Sequence, residues 1–253
     1  MKSTITQTVW FYDDIAKIDF ETVADWHNQH QMVKASFPVD INSMKATYDI
    51  QYGTIERPTH KNTSWDNAKF EVCAHKYADL SEGGYGVAIL NDCKYGYDIH
   101  DGLMQISLFK TPTSPNEVAD QGEIVFTYSL CPHAGTLADS NIPALAYDLN
   151  NPMFAIKATG VNSILPEEFS MVTSSAENLL CEVIKEAEDS DATILRFYES
   201  KNMKTTAEIT LGMQAEHCYL CDLMENELEE LPIVKGKVTV NAHGFEILTL
   251  KVK

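Results

Sequence analysis

The chain has 253 residues, of which 44% are hydrophobic and 22% charged, with 37 acidic against 19 basic side chains. The net charge of -18 would repel a phosphate backbone at long range, which argues against nucleic-acid binding. No apolar run approaches the roughly 20 residues of a membrane-spanning helix, and the N-terminus lacks the basic and apolar order of a signal peptide, so we expect a cytoplasmic protein without membrane contact.

The N-terminal third is predicted to consist of strands. Residues 4–12 alternate, with Val9, Phe11 or their neighbours facing inward, and residues 17–26 do so around Ile18, Phe20 and Val23. Two further strands are predicted at residues 32–41, where Pro38 weakens the strand, and 45–52. Residues 57–67 are predicted to be a loop, because proline and short polar side chains interrupt any period.

Residues 70–133 hold the densest run of glycine, aromatic and paired polar residues. Apolar or alternating runs at residues 87–90, 104–109 and 123–130 predict strands, and turn-forming residues separate them. The pair Asp101-Gly102 tolerates positive φ at both positions, so it predicts a tight hairpin between a strand near residues 97–99 and the next.

The remainder of the chain has two kinds of sequence pattern. Residues 134–152 have helical character limited by Pro143, and residues 154–161 resemble a strand. Beyond a domain boundary predicted near residues 165–166, turn signals at even spacing predict a small antiparallel sandwich. Its strands are expected at residues 169–175, 179–188, 193–200, 204–211, 215–224, 236–242 and 245–252. The acidic run at 225–230 is interpreted as a solvated hairpin face and not a calcium site.

Two short motifs contain residue types found in metal or nucleotide sites, but each lacks the rest of such a site. Cys218 and Cys221 form a CxxC after His217, but no second ligand pair lies nearby in the sequence to complete a zinc site. The GGxG at residues 83–86 precedes an apolar strand, whereas a phosphate-binding loop needs a helix N-terminus. We therefore assign neither a metal nor a nucleotide to this chain.

Polar side chains gather at the turns of residues 70–133. Carboxylates and amides bind sugar hydroxyls with paired hydrogen bonds, and tyrosine rings lie against the apolar face of a pyranose. The same residue types also cap turns, so a carbohydrate contact surface and turn capping both stay open. The candidate residues are Glu82, Tyr85, Asn91, Asp92, Lys94, Tyr95, Asp98, Asp120 and Gln121, within a wider set that includes His75, Asp79 and Tyr97.

Long segments resemble one enzyme family. FEVCAHKYADLSEGGYGVAILNDCKYGYD (70–98) and SLFKTPTSPNEVADQGEIVFTYSLCPH (107–133) closely resemble the C-terminal region of glycoside hydrolase family 38 α-mannosidases of the cytosolic, vacuolar and bacterial branch. The opening FYDDIAKIDFETVADWHNQHQMVKASFPVDI and the ending, with CDLMENELEE and NAHGFEILTLKV, are similar to the same family. Departures are local: Tyr77 stands where the family usually has tryptophan, and Lys17 where arginine is common.

The resemblance implies an all-β fold. Residues 1–165 would form a large antiparallel, galactose-mutarotase-like supersandwich that is incomplete on its N-terminal side, and residues 166–253 a small C-terminal β-sandwich. Family members use an aspartate nucleophile and a zinc held by two histidines and two aspartates in an N-terminal β/α-barrel, whose motifs are not matched here. We therefore expect no catalytic residue and no cofactor in this chain.

The implied function is that of a cleft wall. The expected partners are the N-terminal catalytic domain of the same polypeptide and a mannose-containing oligosaccharide, with the nine candidate residues at the cleft rim. Two alternatives stay open. One is an autonomous carbohydrate-binding module, and the other is a structural domain whose apolar face is buried against the barrel.

Overall fold

The computed structural model describes residues 2–157 and 166–253. The chain divides into two compact units, Met1–Phe154 and Ala155–Lys253. The boundary predicted near residues 165–166 lies at the edge of the undescribed segment and stays a prediction. Of the strand predicted at 154–161, residues 154–157 are not in a strand and the rest lie outside the described residues.

The described part of the first unit contains strands β1 to β11, two α-helices and a short 3-10 helix at Leu137–Asp139. The strands pair antiparallel throughout and form a seven-stranded sheet, β1-β2-β11-β8-β7-β4-β5, and a four-stranded sheet, β3-β10-β9-β6. The bounds are β1 Thr4–Phe11, β2 Ile18–Trp26, β3 Met32–Pro38, β4 Lys45–Ile50, β5 Gly53–Pro58, α1 Ser64–Asn67, β6 Val72–Cys73, β7 Tyr77–Ser81, β8 Tyr85–Asn91, β9 Gly96–His100, β10 Leu103–Lys110, β11 Gly122–Ala134 and α2 Ile142–Asn150.

The two sheets enclose one apolar core. Alternate residues of the central strands supply it, among them Ile89 of β8, Ile106 of β10 and Phe126 of β11, each at most 1% exposed. Burying a side chain of this size stabilises the fold by about 1.5–3 kcal/mol. The all-β class predicted from the sequence is confirmed.

The Asp101-Gly102 hairpin is also confirmed. These two residues join β9 to β10 with φ of 50° and 74°, and His100 pairs directly with Leu103. Both central residues are left-handed, as the turn matched to the twist of two antiparallel strands requires.

The inward orientation predicted for β1 is wrong. All eight residues of β1 are exposed, with Val9 at 42% and Phe11 at 73%. In β2, Phe20 and Ala24 belong to the core, and Val23 lies on the opposite face at 43% exposure. The sequence pattern found both strands but could not show that β1 lacks a second layer over it.

The loop predicted over residues 57–67 needs correction at both ends. Arg57 and Pro58 are the last residues of β5, which pairs with β4 at the edge of its sheet, where a proline is tolerated. The short helix α1 follows Thr63, whose hydroxyl accepts a hydrogen bond from Asp66 N at 3.1 Å and so caps the helix.

The predicted helical segment is α2. Pro143 lies in its first turn, where the missing N–H leaves no intrahelical bond unmade. Ile142 and Ala146 are buried against Leu90 and Cys131, on the face of the large sheet that is opposite to the core.

The second unit is a small antiparallel sandwich, as predicted. Its described strands are β12 Val172–Ser174, β13 Leu179–Glu186, β14 Thr193–Glu199, β15 Thr205–Leu211, β16 Cys218–Cys221, β17 Glu227–Leu231, β18 Lys237–Ala242 and β19 Ile247–Val252. They form the sheets β12-β15-β18 and β13-β14-β19-β16-β17 around an apolar core that includes Phe197, Ile209 and Leu250. The acidic run forms an exposed hairpin strand, β17. Glu225, just before it, is buried and pairs with Lys185 Nζ at 2.8 Å.

In the portion of the chain that the structure describes, no helix has the length and apolar character needed to cross a membrane.

Candidate functional site

The nine candidate residues do not meet at one place. Tyr85 begins β8 and Asn91 ends it, so their Cα atoms lie about 20 Å apart along an extended strand. Glu82 accompanies Tyr85 at the first end. Asp92, Lys94 and Tyr95 accompany Asn91 at the other.

The remaining three candidates lie elsewhere. Asp98 is in the middle of β9, in the smaller sheet, and Asp120 and Gln121 precede β11. Because Tyr128 of β11 pairs with Asn91, the start of β11 lies six residues beyond that end of β8. A single small sugar could not touch all nine residues.

At the Asn91 end, most side-chain polar groups make hydrogen bonds within the fold. Asn91 is fully buried, and its Nδ2 donates to His75 O at 2.7 Å and to Tyr97 Oη at 2.6 Å. Its Oδ1 accepts from Lys94 N at 2.5 Å, and Asn150 Nδ2 donates to its carbonyl at 2.9 Å. Asn91 therefore acts as a turn cap, which favours the capping interpretation at this position.

Its neighbours are similarly engaged. Asp92 Oδ2 accepts from Thr127 N at 2.8 Å, and Lys94 Nζ lies 4.6 Å from the centre of the Phe126 ring. Tyr95 is the exception, because its side chain is 53% exposed. This end offers one exposed ring on a set of polar groups that mostly have partners within the fold, the exception being Asp92 Oδ1, which is buried without a hydrogen-bond partner.

The three outlying candidates also have local partners. Asp98 Oδ2 lies 3.5 Å from His100 Nε2, Asp120 Oδ2 accepts from Lys110 N at 3.1 Å, and Gln121 Nε2 donates to Glu117 O at 3.5 Å. These contacts are those of turn and strand-edge residues.

The other end of β8 is built differently. Residues 82–85 form the turn between β7 and β8, closed by a hydrogen bond from Glu82 N to Tyr85 O at 2.9 Å. Two further bonds tie the turn to the fold: Asn42 N donates to Glu82 Oε2 at 2.9 Å, and Gly135 N donates to Gly84 O at 3.0 Å. The Glu82 and Tyr85 side chains are nevertheless exposed.

A buried ionic cluster supports this turn. His133 Nε2 lies 2.7 Å from Asp79 Oδ2, and both side chains are nearly inaccessible, at 6% and 2% exposure. The Ser81 hydroxyl donates to the other Asp79 oxygen. Gly86 pairs across the sheet with His133, and a Cβ there would overlap the His133 ring and Ser81 Oγ. Glycine at this position is therefore required by close packing.

The electrostatics of the cluster favour a charged histidine. Burial by itself disfavours imidazolium, but the hydrogen bond from His133 to Asp79 and the Asp79 charge outweigh it and raise the pKa of His133. The result is a buried ion pair that links β7 to β11, on either side of β8 and close to the exposed turn, whose Glu82 carboxylate is itself bonded to Asn42 N.

Most of these contacts cannot be predicted from the sequence. Asp79 belonged to the wider polar set, but Ser81 and His133 were not singled out. His133 is 54 residues from Asp79 in the chain, and only the register of β8 with β11 brings the two together. The glycine opposite His133 indicates the close packing of this cluster, but the pairing can be recognised only once the register of the strands is known.

The structure also contains a polar cleft that the sequence did not indicate. Its empty volume, including the part open to solvent, is about 390 Å³, and Arg57, His60, Asp66, Asp98 and His100 are among the residues that line it. The Arg57 guanidinium stacks 4.6 Å from the Tyr48 ring, and its Nη1 is buried without a hydrogen-bond partner. Because that nitrogen is covered by protein, a ligand in the cleft could not reach it.

The described residues contain no group of three or more His, Cys, Asp or Glu side chains placed to hold a metal ion. At the CxxC, burial is the main cause that raises the pKa of Cys218 to about 11, so the thiol stays protonated at neutral pH. His217 Nδ1 instead lies 2.7 Å from Glu230 Oε1.

Two family models match the chain. Residues 1–118 match the glycosyl hydrolases family 38 C-terminal domain, and residues 178–250 match the glycosyl hydrolases family 38 C-terminal beta sandwich domain. Together they cover most of the chain, and their order agrees with the two units of the fold.

Curated relatives support the same assignment. The chain is 37% identical to human Alpha-mannosidase 2C1 over 238 residues, covering 92% of this chain and 23% of that protein. It is 36% identical to Alpha-mannosidase G of Dictyostelium discoideum, covering 98% and 23%, and 36% identical to Alpha-mannosidase of Saccharomyces cerevisiae, covering 94% and 24%. This chain thus spans about a quarter of the length of these relatives.

A solved structure has the same fold. The crystal structure of an alpha-mannosidase from Enterococcus faecalis superimposes with a TM-score of 0.84 at 18% identity, covering 98% of this chain and 29% of that one.

Proposed function

This chain belongs to glycosyl hydrolase family 38, and we propose that it is the non-catalytic C-terminal β-region of a retaining, zinc-dependent α-mannosidase that removes terminal α-D-mannose from oligosaccharides. Within that enzyme, the turn at residues 82–85 would form part of the substrate-cleft wall. The other candidate residues would contribute mainly to the fold.

The observation that carries the cleft-wall role is the construction of this turn. Backbone hydrogen bonds and the bond from Asn42 N to Glu82 Oε2 hold the turn, the buried Asp79–His133 pair links the strands beside it, and the Glu82 and Tyr85 side chains remain exposed. A rigid base with an exposed acceptor and ring is what recognition of a sugar requires, because hydroxyl hydrogen bonds and ring stacking both depend on position.

Catalysis in this proposal belongs to the N-terminal part of the same polypeptide. A retaining glycosidase needs two carboxyl groups about 5 Å apart across the scissile bond, and a zinc site needs converging donors. The described residues do not bring together a donor set that fits zinc. This chain would therefore take no direct part in bond cleavage, and the partners we propose are the N-terminal catalytic domain and a mannose-containing oligosaccharide.

We also propose a cytoplasmic location. All six cysteines are free thiols, which is the usual state in a reducing compartment. Measuring the thiol content of protein purified from its native cells under alkylating conditions tests this, with six modified cysteines expected and paired cysteines contradicting it.

The direct test of the function is hydrolysis of an aryl α-mannoside. The purified 253-residue chain should show no turnover above a buffer blank, whereas the full-length α-mannosidase that contains this region should be active. Zinc-dependent turnover by the 253-residue chain alone would overturn the non-catalytic assignment. An inactive full-length protein would overturn the enzyme assignment.

Titration calorimetry with mannose and α-mannobiose separates this proposal from an autonomous carbohydrate-binding module. A cleft wall that needs its catalytic domain should give no binding heat with the isolated chain. Submillimolar binding that Tyr85→Ala abolishes would favour the module.

A further inference from the structure

The polar cleft of the first unit is built from neighbouring parts of the chain. The end of β5, the loop that follows it, α1 and the segment before β6 supply most of its lining, together with Tyr48 of β4 and residues 97–100 of β9. The turn at residues 82–85 does not contribute to this lining. A ligand of the polar cleft would therefore occupy a different place from the turn to which we assign the mannoside.

Three carboxylates line the polar cleft, and each already has a partner. Asp66 Oδ2 accepts a hydrogen bond from Thr63 Oγ1 at 2.7 Å, and Lys69 Nζ lies 3.9 Å from Asp66 Oδ1. The negative charge of the lining is thus matched by donors within the fold. The two other pairs are Asp98 Oδ2 with His100 Nε2 at 3.5 Å and Glu71 Oε1 with Lys34 Nζ at 2.6 Å.

Two cations of the lining, Arg57 and Lys61, have no such match. Within the part of the chain that the structure describes, neither side chain has an ion-pair or hydrogen-bond partner. Lys61 is exposed and can stay hydrated, but Arg57 is half-buried. Its guanidinium stacks 4.6 Å from the ring of Tyr48, which is 1% exposed. Although the chain has 37 acidic side chains, this partly desolvated cation has no countercharge beside it.

Two buried nitrogen atoms of the lining also lack hydrogen bonds. Arg57 Nη1 and His100 Nδ1 are two of the four buried side-chain nitrogen and oxygen atoms without a hydrogen-bond partner in the described residues. Protein covers both atoms, so a ligand would not touch them. An anion bound to the rest of the guanidinium would nevertheless offset, through space, the cost of holding the Arg57 charge away from water.

We propose that the polar cleft binds the phosphate or carboxylate group of a small organic ligand. The stack on Tyr48 fixes the plane of the Arg57 guanidinium, which is the arrangement that favours paired hydrogen bonds to two oxygens of one oxyanion. Lys61 would add a second positive charge. The Phe70 ring also lines the cleft and is 77% exposed, so it offers an apolar contact to the organic part of the ligand.

Titration of the full-length α-mannosidase with inorganic phosphate and with acetate tests this site. Phosphorus NMR follows phosphate, and proton saturation transfer follows acetate. The zinc that we propose for the catalytic domain would also bind these anions, so the signal of the polar cleft is the part that Arg57→Gln removes. We expect a dissociation constant on the order of 1 mM in the wild type, as two or three charge-assisted hydrogen bonds provide. Arg57→Gln should weaken binding at this site by about tenfold or more.

Lys45→Gln is the matched control. Lys45 lies on β4, next to β5, and its side chain is 61% exposed outside the lining of the cleft, where it pairs with Glu56 at 2.7 Å. This variant removes the same unit charge a short distance away and should bind both anions as the wild type does. An equal loss in Lys45→Gln and Arg57→Gln would overturn the proposal, because it would reduce the effect to net charge.

Two further measurements separate binding from folding and identify the anion. Arg57→Lys keeps the charge but loses the fork of the guanidinium, so it should bind more weakly than the wild type and more tightly than Arg57→Gln, with an unchanged Tm in the absence of anion. A loss for phosphate alone assigns a phosphate group, and a loss for acetate alone assigns a carboxylate. Affinities of the wild type and Arg57→Gln that agree for both anions would overturn the site, whether or not the enzyme hydrolyses mannosides.

Discussion

The two ends of β8 carry similar polar and aromatic residues but use them in opposite ways. At the Asn91 end, the amide, the carboxylate and the lysine make internal contacts, and only the Tyr95 ring is exposed. At the Glu82 end, Glu82 Oε2 accepts from Asn42 N, but buried residues from β7 and β11 make most of the internal contacts, and the Glu82 and Tyr85 side chains stay exposed. Whether a polar turn residue is available to a ligand thus depends on which other residues satisfy the backbone around it.

The largest effect should come from removing the support of the Glu82 end. Asp79→Asn leaves His133 buried without its countercharge and should lower the free energy of unfolding of the first unit by about 3 kcal/mol. Urea unfolding followed by tryptophan fluorescence measures this unit alone, because Trp10, Trp26 and Trp65 all lie within it. The isosteric control Asp101→Asn, at a side chain 89% exposed, should change stability by less than about 0.5 kcal/mol. Indistinguishable curves for the two variants would contradict a supporting role for the pair.

A somewhat smaller loss is expected at the other end. Asn91→Ala leaves His75 O and Lys94 N without their side-chain partner in a buried site, and should cost about 2 kcal/mol in the same measurement. Asn28→Ala, at an exposed position, is the control and should be close to neutral. Unchanged stability with weakened activity of the full-length enzyme would instead make Asn91 a ligand contact.

The pH dependence of stability gives a further, smaller effect. Because the pKa of His133 is raised in the folded state, the folded protein binds the proton more tightly than the unfolded chain. Its contribution is complete below the ordinary histidine pKa of about 6.5 and is lost as pH rises through the raised value. The first unit should therefore be less stable above this window than below it. His133→Gln should flatten that step, and an identical pH profile in the variant would exclude His133 as its origin.

Local patterns predicted the strands and the Asp101-Gly102 hairpin because alternation and turn chemistry are local properties. Local patterns failed where the burial of a side chain depends on a second sheet, or where its neighbours depend on the register between strands. The side chains of Val9 and Phe11 alternate correctly, but the narrower sheet does not reach them. The acidic run predicts a hairpin face but not the strand β17, because its glutamates hide the alternation. The candidate residues are scattered because residues that are close in sequence can lie far apart in a strand. Tyr85 and Asn91 are only six positions apart, yet they lie at opposite ends of β8.

Tyr85 and Tyr95 provide the most direct test of the central claim, since they are 41% and 53% exposed at the two ends of the same strand–turn region. Each tyrosine is replaced by alanine in the full-length α-mannosidase, and kcat/KM for an α-mannobioside is measured alongside stability. We expect Tyr85→Ala to lower kcat/KM about tenfold while the free energy of unfolding changes by less than about 0.5 kcal/mol, and Tyr95→Ala to leave kcat/KM unchanged. A loss of kcat/KM in Tyr95→Ala with a fully active Tyr85→Ala would contradict the assignment of the Glu82 end to the cleft.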